Sequence, residues 1–278
     1  MSKTYEALKR AEAARAETAR QEAADLAAAV EAATPQGASP AAGVAPEAGP
    51  SAYLPGMAES LDIGSELGLL SGADEYFEVR RSLRSAAVGV ELKTILVVSS
   101  LHGEGASTVV CQFARAMSDG ARAQVLLADL NMRTPSLRRL MRVKGREGFM
   151  NVVADEKPLK DVVQTASVEG VSVLTAGSGR YGAIEILDRN TAPGVVNSLA
   201  ETADLVFADA PPVTLYPDAR ALAPLFDGVI LVVEADTTPV SVATRSCQIL
   251  RDAGANILGV VLNKRRDYIP DVIDRLVG

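Results

Sequence analysis

Residues 99–108 read Ser-Ser-Leu-His-Gly-Glu-Gly-Ala-Ser-Thr and follow directly on an aliphatic run. A strand running into a glycine-rich loop that opens a helix is a phosphate cradle. Its glycines bring backbone N–H groups close to the anion, and a hydroxyl at the helix start serves Mg²⁺. In the usual pattern the loop ends Gly-Lys-Ser/Thr, and the lysine reaches the β- and γ-phosphates. Here Gly103, Glu104, Gly105, Ser107 and Thr108 stand in place, while Ala106 occupies the lysine's position. The strongest single cation of such a site is missing.

Two carboxylates fall where a phosphate site needs them. Asp129 closes the aliphatic run Val-Leu-Leu-Ala, and Asp209 closes Leu-Val-Phe-Ala. At neighbouring strand ends in an α/β sheet, side chains converge on one crevice. Ser107, Asp129 and Asp209 are therefore expected to share a hard Mg²⁺ through oxygen atoms and water. Asn131 and Arg133 follow Asp129 at the strand's exit, and Asp209 leads into the stiff turn Ala-Pro-Pro. His102 is the only histidine, which excludes a Ser-His-Asp arrangement and leaves it as part of the loop. Cys111 and Cys247 lack metal-site spacing and read as buried thiols.

The elements that would position these groups are legible in the pattern. Strands are expected at 94–99, 124–129, 171–175, 204–209, 228–234 and 257–262. Helices are expected at 74–88, 106–119, 136–142, 159–165, 192–202, 239–253 and 270–277. Strands that are apolar throughout imply a sheet buried on both faces, and intervening helices imply parallel crossovers. The fold class is α/β: a doubly wound, mostly parallel sheet with helices on both faces, of the P-loop NTPase type. Three segments are expected: a helical Ala/Glu/Arg-rich head at 1–33, a flexible Ala/Pro/Gly-rich linker at 34–73, and the α/β domain at 74–278. The head reads equally as a docking helix or a solubilising extension. The chain has 278 residues, a formal charge of −7 and no tryptophan. That balance argues against general nucleic-acid binding, and no apolar run approaches the ~20 residues of a membrane span.

Taken together, these motifs resemble the cytosolic kinase domain of bacterial tyrosine kinases, the autokinase partners of polysaccharide co-polymerases, in the ParA/MinD-like branch of P-loop ATPases. The family's loop, roughly Ser-Ser-x-x-Gly-Glu-Gly-Lys-Ser-Thr, is met from Ser99 to Thr108 except at Ala106. Its second motif, roughly Leu-Leu-x-Asp-x-Asp-x-Arg-x-Pro, is met from Leu126 to Pro135 with Asn131 for the second Asp. Its third, Asp-x-Pro-Pro, is met at Asp209–Pro212. Glu78, Arg81 and Arg84 match a Glu-x-x-Arg-x-x-Arg helix that the family uses for ring assembly, and this spacing sets all three on one helical face. The resemblance also puts Asn263, in Gly-Val-Val-Leu-Asn, near a nucleotide base. It implies ATP or ADP with Mg²⁺ as ligand, Asp129, Asn131 and Asp209 as the catalytic set, a homo-oligomer, and a membrane chain-length-determinant protein as partner. The expected location is cytoplasmic, at the inner face of the plasma membrane through that partner.

Three departures shape the functional expectation. Ala106 and Asn131 remove charged groups from a reaction that depends on positioning and charge stabilisation. No lysine stands obviously ready to substitute: Lys93 precedes the first strand at its opposite end, and Lys144 or Lys264 would need unusual reach. Tyr268 stands alone near the C-terminus, where the family carries a tyrosine cluster. The expectation is a tyrosine-kinase-like protein of exopolysaccharide biosynthesis and export that binds nucleotide with little or no phosphotransfer. An active autokinase or ATPase using an unorthodox cation is the alternative, and a ParA/MinD-like positioning ATPase the second.

Overall fold

The computed structural model describes residues 92–118, 123–179 and 181–264. The expected helices at 74–88 and 270–277, the head at 1–33 and the linker at 34–73 lie outside them.

The chain runs β1 (Thr94–Ser99), α1 (Ala106–Ser118), β2 (Val125–Asp129), α2 (Leu137–Leu140), α3 (Phe149–Asp155), α4 (Leu159–Val162), β3 (Gln164–Thr165) and β4 (Val171–Leu174). It continues through α5 (Ala183–Leu187), α6 (Ala192–Leu199), β5 (Leu205–Asp209), α7 (Asp218–Leu222), a 3₁₀ turn (Ala223–Leu225), β6 (Gly228–Glu234), α8 (Val240–Asp252) and β7 (Ile257–Asn263). The strands form one sheet in the order β3-β4-β2-β5-β1-β6-β7, parallel except for the β3–β4 pair.

Alternation along each strand divides the core in two. Ile95, Val97, Leu127 and Phe207 face α1, where Val110, Phe113 and Met117 cover them. Leu96, Val98, Leu126 and Val206 face the other way, onto Phe149, Val196, Leu199, Cys247 and Leu250 of α3, α6 and α8. A sheet sealed on both faces keeps ligands at its strand ends. Because β1 lies between β5 and β6, its exit loop opens beside the carboxyl end of β5.

The six expected strands are present to within a residue at each end. The expected helix at 159–165 is a correction: it stops at Val162, and Gln164 and Thr165 instead pair antiparallel with Val173 and Ser172. Helices α3, α5 and α7, of five to seven residues each, fall in stretches with no expected element. Apolar runs that short carry too little periodicity to distinguish helix from coil.

Candidate functional site

The loop between β1 and α1 is shaped by its glycines. Gly103 and Gly105 adopt φ of +85° and +94°, the left-handed region that side chains avoid. Gly105 is also required by crowding, since a Cβ there would stand 2.2 Å from Asn263 Nδ2. Its carbonyl accepts from Thr108 N at 2.9 Å and Val109 N at 3.0 Å, which starts α1. The first N–H groups of that helix therefore open toward the loop, as an anion cradle requires.

Glu104 braces the loop from within. Its side chain is buried, with one carboxylate oxygen accepting from Leu101 N at 2.8 Å and the other from the Thr238 hydroxyl. Its carbonyl accepts from Asn263 Nδ2 at 2.8 Å. Asn263 thus grips the loop backbone. Ala106 is buried, its methyl group part of the core under α1.

Asp129 and Asp209 stand in register on adjacent strands, both fully buried. Their oxygens are used differently. Asp129 Oδ2 accepts from Ser136 N and Leu137 N, both at 2.9 Å, and Oδ1 accepts from Asn131 N at 3.3 Å. Asp209 Oδ2 accepts from Ser107 Oγ at 2.5 Å, while Oδ1 is buried and makes no hydrogen bond among the described residues. Burial pushes the Asp209 carboxyl up to about 8, reinforced by the charge of Asp129 and opposed by the Ser107 hydroxyl. Burial also raises Asp129, to about 6, against the pull of its three backbone N–H partners. Asn131 folds its own turn, with Oδ1 accepting from Thr134 N at 3.1 Å and from Thr134 Oγ1 at 3.3 Å.

Sequence reasoning gave no role to a second ring of contacts around the loop. Arg133 forms a two-point pair with the buried carboxylate of Asp218, at 3.2 and 3.1 Å, and lies 5.1 Å above the Tyr216 ring. The Tyr216 hydroxyl is 3.2 Å from His102 Nε2. Thr214 Oγ1 reaches Ser100 O at 2.5 Å, so the segment after Asp209-Ala-Pro-Pro is laced to the loop's first turn. Arg133 and Asp218 stand 85 positions apart, and only the parallel register of β2 with β5 brings them together. No sequence spacing could announce that pair.

Lys264 is a correction. It was expected to need unusual reach, yet its Nζ donates to Gly103 O at 2.5 Å and to Glu234 Oε2 at 3.0 Å. The reason is tertiary: β7 ends beside the β1–α1 loop, where Asn263 and Lys264 reach the carbonyls of Glu104 and Gly103. Lys93 lies at the other end of β1, its backbone N–H on Asp227.

Beneath the site, Cys111 is a buried free thiol whose pKa is pushed up to about 12, by burial first and then by Asp209 and Asp129. Cys247 is likewise free and buried. A cavity of about 310 Å³ lies elsewhere, between Met150, Asn151, Ser178 and Tyr181, and takes none of the expected site residues. Among the described residues no three His, Cys, Asp or Glu side chains gather as a metal cage. Mg²⁺ does not require one, because it is commonly held by one or two carboxylates together with substrate phosphates and water.

No protein-family model matches the chain. It is 24% identical over 194 residues to the tyrosine-protein kinase YwqD of Bacillus subtilis, covering 70% of this chain and 81% of that one. The chain is a homologue of the bacterial tyrosine-protein kinases. It is also 25% identical over 195 residues to ExoP, a succinoglycan biosynthesis transport protein of Rhizobium meliloti, of which the match covers 25%. Among solved structures, the kinase domain of Escherichia coli tyrosine kinase Etk superposes with a TM-score of 0.66 at 24% identity, over 72% of this chain and 79% of that one. The septum site-determining protein MinD of Pyrococcus horikoshii, solved with Mg-ADP, superposes with a TM-score of 0.55 at 24% identity, over 66% and 76%. The chain shares with these solved structures an α/β fold built on a mostly parallel sheet.

Proposed function

We propose that this chain is a tyrosine-kinase-like protein of exopolysaccharide biosynthesis that binds Mg-ATP or Mg-ADP at the β1–α1 loop and transfers phosphate weakly or not at all. One observation carries the nucleotide reading. Asp209 Oδ1 is fully buried and unpartnered among the described residues, beside a serine that opens a glycine-lipped helix. A buried carboxylate oxygen without a donor costs free energy unless a cation or water meets it.

The residues present fit the ligand. Ser107 and Asp209 would hold Mg²⁺ together with the nucleotide's phosphates, and the N–H groups at the start of α1 would receive those phosphates. Bound there, the ion would neutralise phosphate charge. Asp129 orients α2 through two backbone N–H groups, and Glu104 fixes the loop. Loss of phosphotransfer follows from the residue types: Ala106 carries no charge, and Asn131 cannot take a proton as a carboxylate does.

The biological setting is proposed from relatives whose names refer to tyrosine kinases and polysaccharide transport. In it, the chain partners a membrane polysaccharide co-polymerase at the inner face of the plasma membrane and self-associates through Glu78, Arg81 and Arg84. Those three residues, and Tyr268, lie outside the described residues. No described helix is long and apolar enough to cross a membrane. An active autokinase is the second reading, and Lys264 at the loop is what favours it.

Calorimetric titration with Mg-ADP and an anti-phosphotyrosine assay with Mg-ATP test the proposal together. Saturable nucleotide binding without phosphotyrosine is expected. Phosphotyrosine that accumulates and disappears in Asp209→Ala would instead establish the autokinase.

A further inference from the structure

We propose that Lys264 is the phosphate-site cation of this chain, contributed by the exit of the last strand instead of by position 106. Its ligand is the polyphosphate of a nucleoside di- or triphosphate. The inference rests on the nucleotide reading above and adds to it the residue that makes the reading electrostatically workable.

Charge poses the problem. Asp129, Asp209, Glu104 and Glu234 all lie at or beside the loop. A polyphosphate approaching the ionised members of this group is repelled unless fixed positive charge is nearby. Arg133 is already committed to the buried Asp218 through two contacts. Lys264 is held at the loop itself and stays 45% exposed, so a ligand can reach it.

Its placement is built in several steps. Asn263 and Lys264 grip the carbonyls of two successive loop residues, Glu104 and Gly103. The lysine stem passes Gly105, with Cε 3.9 Å from the point a Cβ would occupy there. A left-handed φ at a non-glycine residue is costly and persists where its surroundings hold it in place, often at functional positions. Glu234, which pairs with the ammonium, also takes part in a chain of contacts back to the loop: its N–H donates to Thr238 Oγ1, and that hydroxyl donates to Glu104. An ammonium has three donors. Among the described residues Gly103 O and Glu234 use two of them, and the third can meet an anion.

A lysine that merely braced the loop would make the same apo contacts, so the test must separate charge from bracing. The full chain is titrated with ADP, AMP and adenosine in Mg²⁺, as parent, Lys264→Met, Lys264→Arg and the double variant Ala106→Lys/Lys264→Met. Lys264→Met is expected to weaken ADP by roughly tenfold or more, the worth of a charge-assisted contact. AMP should lose less, and adenosine nothing. Lys264→Arg should stay near the parent, and the double variant should regain ADP affinity. Equal losses for all three ligands, or a fall in ligand-free Tm that matches the loss, would make Lys264 a brace and overturn the inference. Parental ADP affinity in Lys264→Met would overturn it as well, leaving the nucleotide reading intact. If neither the parent nor the double variant binds ADP at millimolar concentration, the nucleotide reading falls first and takes this inference with it.

Discussion

Ala106→Lys would put a cation into a loop whose glycines, brace and hydroxyl already stand in place. A charge-assisted contact to phosphate contributes about 1.5–3 kcal/mol, so Mg-ADP should bind roughly 10- to 100-fold tighter, read by calorimetry. The buried carboxyl pair supplies a second residue-scale test. Asp209 keeps its proton in the fold up to about pH 8, while an unfolded aspartate loses it near pH 4. Between those values the native state binds more protons than the unfolded one, so ligand-free stability must fall as pH rises. The slope from this group is at most about 1.4 kcal/mol per pH unit, and Asp209→Asn should remove it in denaturant titrations across that window. Mg²⁺ bound at Asp209 displaces the same proton, so its affinity should rise over the same range.

At the scale of elements, every described strand except β3 was readable as an aliphatic run, and three of those runs end in recognisable chemistry. Asp129, Asp209 and Asn263 each close a strand, and helix α1 begins at Ala106 as its loop demands. The failures share a cause. Helix α4 yields to β3 because an exposed edge of β4 offers pairing, a tertiary effect that no window of residues contains. The reach of Lys264 escapes the sequence for a similar reason: it depends on β7 ending beside the β1–α1 loop. The Arg133–Asp218 pair was invisible because it exists only across two strands. Packing between elements also gives a sharp prediction at Gly148, which leads into α3. A Cβ there would sit 1.9 Å from the Thr175 carbonyl oxygen, against backbone that cannot step aside. Gly148→Ala should cost more than about 3 kcal/mol, lowering the urea midpoint well beyond an ordinary overpacked core site.

For the whole molecule, ligand binding and assembly should read out as stability and mass. A hundredfold excess of Mg-ADP over its Kd adds about 2.7 kcal/mol, a rise in Tm of roughly 5–11 °C for a domain of this size. Replacing Glu78, Arg81 and Arg84 together by alanine should leave that shift unchanged and lower the mass measured by light scattering; an unchanged oligomer would exclude that helix from assembly. Cys111 offers a way to time the opening of the molecule. A thiol pushed up to about 12 and covered by core is inert to disulfide reagents while the fold is closed. Its labelling rate therefore measures how often helix α1 lifts away from the sheet. In a Cys247→Ala background, leaving one thiol of the chain's two, that rate becomes a clock for local opening, and a phosphate seated at the head of the same helix should slow it.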